Sequence, residues 1–267
     1  MLPLASPALA GQVFAQERHR VIESIVRQKG RLTVGELALH LGASDITVRR
    51  DLRLLEAGGK LIRAHGGALH PDFLDTEPGF ERKAVDAVGA KVAIARAAAA
   101  ELPDRGHVFL DAGTTCLEVA RLILDRRGLT IVTNSIPVLQ LGTDAKARVI
   151  GVGGEVRAVS QALVGSVALE WLGRLRFDVA VLSASGIDSN DGASTTELSE
   201  AAVKQAACGR ATKRVLVSHA AKWNKPVAVV FGGWDVFQFF VTDARLTAPD
   251  KARLRRAGVT LKVVSSL

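Results

Sequence analysis

The sequence predicts an α/β protein in two parts: a small helical domain closed by a β-hairpin, then a larger domain built on a mainly parallel sheet. Three observations predict this. Between residues 14 and 69, three amphipathic helical patterns with their own cap signals run into a short, glycine-bounded basic hairpin. Residues 70–85 contain Pro71, Pro78 and Gly79, show no sustained period, and read as the connection between domains. From residue 86 to 267, short Val/Ile/Leu runs alternate with helical patterns, as expected of a parallel sheet covered on both faces. Residues 1–13 are apolar and Ala/Pro-rich without the basic start of a secretory signal; they read as a disordered tail or a misassigned start.

Composition narrows the function. With 48% apolar and 23% charged residues, the 267-residue chain is neither disordered nor collagen-like. Its apolar runs stop well short of the roughly 18 residues a membrane-spanning helix needs. Two distant cysteines, Cys116 and Cys208, fit a reducing compartment, hence the cytoplasm, and no disulfide framework. The formal charge is +8, and half of that surplus sits in the first 70 residues, which hold ten Arg and Lys against six Asp and Glu. A basic surplus concentrated in a small domain suits a polyanionic partner, although a solvated basic face has the same composition.

In the first domain, Val21, Ile22, Ile25 and Val26 keep a helical period until Gly30. Thr33 and Glu36 form a capping-box pattern that opens a short helix through Leu41, and Gly42 supplies its left-handed cap. Ser44 then caps a third helix running to about Ala57. On this helix Val48, Leu52 and Leu55 form one apolar stripe, while Ile46, Arg49, Arg50 and Arg53 project from the opposite side. Arginines pair with guanine edges or with phosphate, Thr47 reaches either, and Ile46 suits a thymine methyl. Lys60-Leu-Ile-Arg-Ala-His-Gly-Gly67 reads as a hairpin, or wing, placing Lys60, Arg63 and His65 near a DNA backbone or minor groove. The alternative is a three-helix bundle whose arginines only keep it soluble.

The run SDITVRRDLRLLEAGGKLIRAHGGAL, residues 44–69, resembles the DNA-binding signature of the DeoR-type family of bacterial transcriptional repressors, with Val48 in place of the usual isoleucine. The resemblance implies a winged helix-turn-helix.

In the larger domain, strands are expected at HVFLD, LTIVTN, RVIGVGG, FDVAVLSAS, RVLVS, VAVVF, FQFFVTD and VTLKVVS, and helices near 91–101, 115–127, 136–142, 163–173, 197–209 and 248–257. Ligands of such sheets bind at the carboxyl ends of strands. There HVFLD ends in Asp111-Ala-Gly-Thr-Thr115 at a helix start: Gly113 permits close backbone approach, and Thr114 and Thr115 suit an anion. Asp111 would repel phosphate and is assigned to a sugar hydroxyl or to loop orientation. Thr133-Asn134-Ser135 ends the next strand, and a glycine pair precedes Arg157, which could meet a phosphate or a partner. Taken singly, each block is also consistent with a capped turn.

Their order, LDAGTT, TNS, GGEVR, ALVG, SGID, ELSEAAVKQA and AAKW, is similar to the effector-sensing domain of the same family, whose architecture is that of ribose-5-phosphate isomerase. By that resemblance Asp111, Gly113, Thr114, Thr115, Asn134, Glu200 and Lys222 surround a phosphosugar pocket, with Lys222 as the phosphate's cation. Two positions depart from the family pattern: His219-Ala-Ala-Lys222 replaces Asp-x-Ser-Lys, and Ser183 replaces a common glycine.

No cysteine and histidine cluster has zinc spacing, and no P-loop or nucleophile triad is present, so neither metal nor cofactor is expected. Cys116 and the three tryptophans are expected in the core. The function expected is a carbohydrate-responsive repressor that binds operator DNA as a homodimer or homotetramer and is not an enzyme. The alternatives are a sugar-phosphate isomerase or deaminase-like enzyme with an added DNA-binding domain, or a repressor with a degenerate pocket controlled by a protein partner.

Overall fold

The computed structural model describes residues 15–29, 31–64, 67–69 and 77–265. The expected tail at 1–13, His65 and residues 70–76 of the connection lie outside the described residues. The chain divides into two compact units, Met1–Glu77 and Pro78–Leu267. Among the described residues no helix is long and apolar enough to cross a membrane.

The first unit runs α1 (Ala15–Lys29), β1 (Arg31–Thr33), α2 (Val34–Leu41), α3 (Asp45–Ala57), β2 (Ile62–Ala64) and β3 (Gly67–Leu69). Its boundaries are set by local chemistry. Thr33 Oγ1 accepts from Glu36 N while Glu36 Oε2 accepts from Thr33 N, closing the capping box at the start of α2. Gly42 ends that helix at φ 57°, and Ser44 Oγ accepts from Thr47 N to start α3. Ile22 and Val26 of α1, Leu37 of α2, and Val48, Leu52 and Leu55 of α3 meet in one core. The hairpin reaches two residues beyond the expected Gly67, and β1 adds a strand that sequence patterning did not indicate. The sheet order is β1-β3-β2, all antiparallel. A Cβ on Gly67 would lie 2.1 Å from the Leu32 carbonyl oxygen, so β1 and β3 approach this closely only across glycine.

The second unit begins with α4 (Phe80–Val85) and α5 (Val88–Ala99), so the expected connection, 70–85, contains a helix at its end. The reason is Phe80, which is buried in a core of the second unit and whose N–H donates to the Val159 carbonyl. There follow β4 (Arg105–Leu110), α6 (Thr114–Ile123), β5 (Gly128–Thr133), α7 (Ile136–Leu141), β6 (Arg148–Gly151), β7 (Glu155–Arg157), β8 (Ala162–Val164), α8 (Ser166–Arg174) and β9 (Phe177–Ser183). The chain continues through β10 (Gly186–Asp188), β11 (Gly192–Thr195), α9 (Leu198–Arg210), β12 (Ala211–Val217), β13 (Val229–Gly232), β14 (Phe239–Thr242), α10 (Ala248–Arg256) and β15 (Thr260–Val263).

Seven strands form one wholly parallel sheet in the order β15-β14-β12-β9-β4-β5-β6. Successive residues of its central strands alternate between two cores. Phe109, Ala180 and Leu182 face the core shared with α8, α9 and α10; Val108, Leu110, Val179 and Val181 face α5, α6 and α7. Two expectations are corrected. The VAVVF run contributes β13 to a separate antiparallel sheet, β10-β11-β13, rather than to the main sheet. The helix expected from 163 starts at Ser166, because Ala162–Val164 pairs with β7 as a hairpin.

Candidate functional site

In the first unit, α3 is fixed by its buried stripe and presents the opposite face to solvent. Ile46 is 81% exposed, and Arg49, Arg50 and Arg53 are exposed beside it. Ser44 is exposed as well, Thr47 is partly exposed, and their hydroxyl oxygens lie 2.9 Å apart at the start of the helix. Lys60 is exposed just past Gly59, whose φ of 67° turns the chain toward β2. Arg63 lies in β2. The structure thus gathers Ser44, Ile46, Thr47, Arg49, Arg50 and Arg53 on one helix face and places Lys60 at the entry to the hairpin.

Sequence reasoning missed Asp51. It sits on the inner side of α3, where Arg18 Nε and His19 Nε2 of α1 approach its two oxygens at 2.9 and 3.0 Å. Burial opposes its charge, but the bonds from Arg18 and His19 outweigh burial and hold the carboxyl below its ordinary value. A carboxylate flanked by projecting arginines was the available signal.

In the second unit the strand order places a switch point between β4 and β9. From β4 the chain steps outward through β5 and β6 to one edge, and from β9 through β12, β14 and β15 to the other. Asp111 directly follows β4 and Ser183 ends β9, at the strand ends where a doubly wound sheet opens a crevice. Asp111 is fully buried; its Oδ2 accepts from Ser183 N at 2.9 Å and from Lys204 Nζ. Lys204 Nζ also donates to the Ser183 carbonyl at 3.2 Å. Burial pushes the Asp111 carboxyl above its ordinary range, against the pull of Lys204. Burial pulls Lys204 down, yet the charges of Asp111 and Glu200 prevail and raise it. Asp111 Oδ1, also buried, has no hydrogen-bond partner among the described residues.

Gly113 leads into α6 at φ 140°, and a Cβ there would fall 2.5 Å from Ser183 Oγ, so both backbone and space demand glycine. Thr114 and Thr115 follow, buried in the first turn of α6. Asn134 is buried across the crevice with both polar ends on main chain: its Oδ1 accepts from Ala112 N at 2.8 Å and its Nδ2 donates to Leu163 O. It therefore shapes the Asp111–Gly113 loop.

Glu200, one turn before Lys204 on α9, accepts from Arg157 Nη1 at 3.0 Å and from Thr195 Oγ1 at 2.8 Å. The i, i+4 spacing of Glu200 and Lys204 was the signal for Lys204, which sequence reasoning also missed. Lys222 stands apart: its Nζ donates to the Ala184 carbonyl, and among the described residues it forms no ion pair with a carboxylate. Burial, then the nearby Lys83, Lys204 and Lys91, brings it down to about 8. Burial, with Lys222 and Lys91, lowers His219 to about 4, so the imidazole is neutral at pH 7.

Burial raises the thiols of Cys116 and Cys208, the latter to about 12, so both are protonated at neutral pH. Trp223 and Trp234 pack with Phe240, but Trp171, expected in the core, is 54% exposed beneath Arg174.

Residues 18–72 match the family model described as DeoR-like helix-turn-helix domain, and residues 86–244 the one described as DeoR C terminal sensor domain. The chain is 35% identical over 248 residues to the HTH-type transcriptional regulator GlpR of Haloferax volcanii, covering 92% of this chain and 96% of that protein. It is 32% identical over 229 residues to the glycerol-3-phosphate regulon repressor of Escherichia coli K12, covering 85% and 90%. The putative aga operon transcriptional repressor of Escherichia coli O157:H7 is 32% identical over 254 residues, covering 94% of each chain. Among solved structures, ribose 5-phosphate isomerase A from Methanocaldococcus jannaschii is 13% identical with a TM-score of 0.37, over 50% of this chain and 53% of that one, too slight a likeness to carry an argument.

Proposed function

Because this chain belongs to the DeoR family of transcriptional regulators, we propose that it represses carbohydrate-metabolism genes and that a phosphorylated sugar or polyol, bound at the strand-end crevice, changes its affinity for operator DNA. In this reading α3 enters the major groove: Arg49, Arg50 and Arg53 face guanine edges or phosphates, with Ile46 beside them. Ser44, Thr47, Lys60, Arg63 and His65 add backbone contacts. One short helix reads few base pairs, so the protein would bind paired half-sites as a homodimer or homotetramer.

The observation that carries the effector reading is a mismatch of charges and bonds at the end of β9. Asp111, whose buried Oδ1 has no donor among the described residues, is bonded through Oδ2 to Ser183 N, and Lys222, which pairs with no carboxylate of the described residues, is bonded to the carbonyl of the next residue, Ala184. A ligand with a hydroxyl group and a phosphate satisfies both, and the α6 N-terminus with Gly113, Thr114 and Thr115 offers further donors to the phosphate. A switch accounts for the remaining groups better than a catalyst does. Proton abstraction needs a carboxylate available to substrate, whereas Asp111 is bound to Lys204, and Glu200 to Arg157 and Thr195.

The test is a thermal-shift titration with phosphorylated sugars and polyols, beginning with glycerol 3-phosphate because a relative is named for that regulon. A selective rise in melting temperature should accompany a change in operator affinity of about 1–3 kcal/mol. Equal effector affinity with and without operator DNA would overturn the switch.

A further inference from the structure

We propose that α4 and the β7–β8 hairpin together carry the state of the strand-end crevice to the start of the second unit, where the chain arrives from the first. This rests on the reading of the crevice as the effector site. The hairpin is fastened to the crevice from two sides: Arg157 bonds to Glu200, while Leu163 N donates to Asn134 O and Ile136 N to Gln161 O. Its turn is fastened to α4, because Phe80 N donates to Val159 O and Gln161 Nε2 donates to Glu81 Oε1 at 3.0 Å. The far end of α4 is held in turn by Lys91, whose Nζ donates to the Lys83 and Asp86 carbonyls. Lys83 and Lys91 are also among the charges that act on Lys222. An anion arriving at Lys222 therefore alters the field at one end of α4, and a change at Glu200 pulls on the hairpin that holds the other.

The backbone supports the same assignment. Three non-glycine residues among those described have positive φ, and two of them bracket this assembly: Gln161 at 50° in the hairpin turn and Ala87 at 48°, between α4 and α5. Such residues persist where surrounding structure overrides their preference, and they concentrate in elements that switch. The coupling runs through a contiguous set of bonds with a strained residue at each end.

The test uses the full-length protein without effector and an operator duplex selected by it from a random library. Ala87→Gly relaxes one strained residue in the arrangement described here, while Gln161→Gly relaxes the other and also removes its side-chain bond to Glu81, so each should move operator affinity by about threefold or more. Glu81→Ala cuts an exposed bond with little risk to folding and should also move it. Arg174→Ala, which removes the exposed Arg174–Glu170 pair on α8, should leave it within about twofold. Operator affinity unchanged in all three variants, with melting temperatures intact, would overturn the proposal. Lack of any thermal shift with phosphorylated polyols would overturn the effector reading instead, since the operator comparison contains no ligand.

Discussion

Lys204 shows how a single residue organises the crevice. It is paired with Asp111, braces the Ser183 carbonyl and lies one helical turn from Glu200, and it is itself buried. Removing it leaves Asp111 buried without its counter-charge, so Lys204→Met should cost about 3–5 kcal/mol in denaturant unfolding, and the double variant Asp111→Asn/Lys204→Met should recover much of that loss. Lys222 behaves differently because burial disfavours its charge and no carboxylate of the described residues is paired with it to hold the proton. Its folded-state pKa is depressed to about 8, so the penalty it imposes on folding is present below that pH and disappears as pH rises toward its ordinary value of 10.5. The proposed effector binding would have the opposite slope: the Lys222 charge is lost above about 8, so affinity for a phosphorylated polyol should fall through that pH. Calorimetric titration across pH 7–9 should show the decline, and Lys222→Met should bind weakly with no such slope. These residues mark where reading from sequence stopped. Asp111, Glu200 and Lys222 stood in recognisable blocks, but burial and pairing of Lys204 and Asp51 depend on partners 93 and 33 residues away, which no local pattern contains.

Among the elements, α3 gives the sharpest test of DNA recognition. Arg50→Ala should weaken operator binding by about 1–3 kcal/mol and relax sequence preference, whereas Lys60→Ala should weaken all sequences alike and lower the salt slope by about one. Fluorescence anisotropy on matched and mutated duplexes at several salt concentrations separates the two, and identical behaviour would refute the division. Elements with chemical punctuation were the legible ones. The boundaries of α2 and α3 follow from Thr33, Gly42 and Ser44, and the main strands from continuous apolar runs. The strands β1, β7, β8 and β10 are only three residues long and exist through pairing with other segments, so they carry no period to read. The start of α4 was hidden for a similar reason: Phe80 belongs to a core formed largely by residues after position 94.

For the whole molecule, the proposed linkage requires reciprocity. Operator DNA must alter effector affinity by the same factor that effector alters operator affinity, and light scattering of the full chain at micromolar concentration should give at least a dimer mass. The strand order has a further consequence, for folding. β4, β5 and β6 form one run of neighbours and β9, β12, β14 and β15 another, and the two runs meet only where β4 pairs with β9, across some seventy residues of chain. Loop-closure entropy should make that seam the slow step of assembly. Asp111 and Ser183 lie on either side of it, so the crevice exists only once both halves of the sheet have zipped together. On the proposed reading of the crevice, a newly made chain would become able to bind an effector only on completing its fold, and a ligand present at that moment would hold the seam closed.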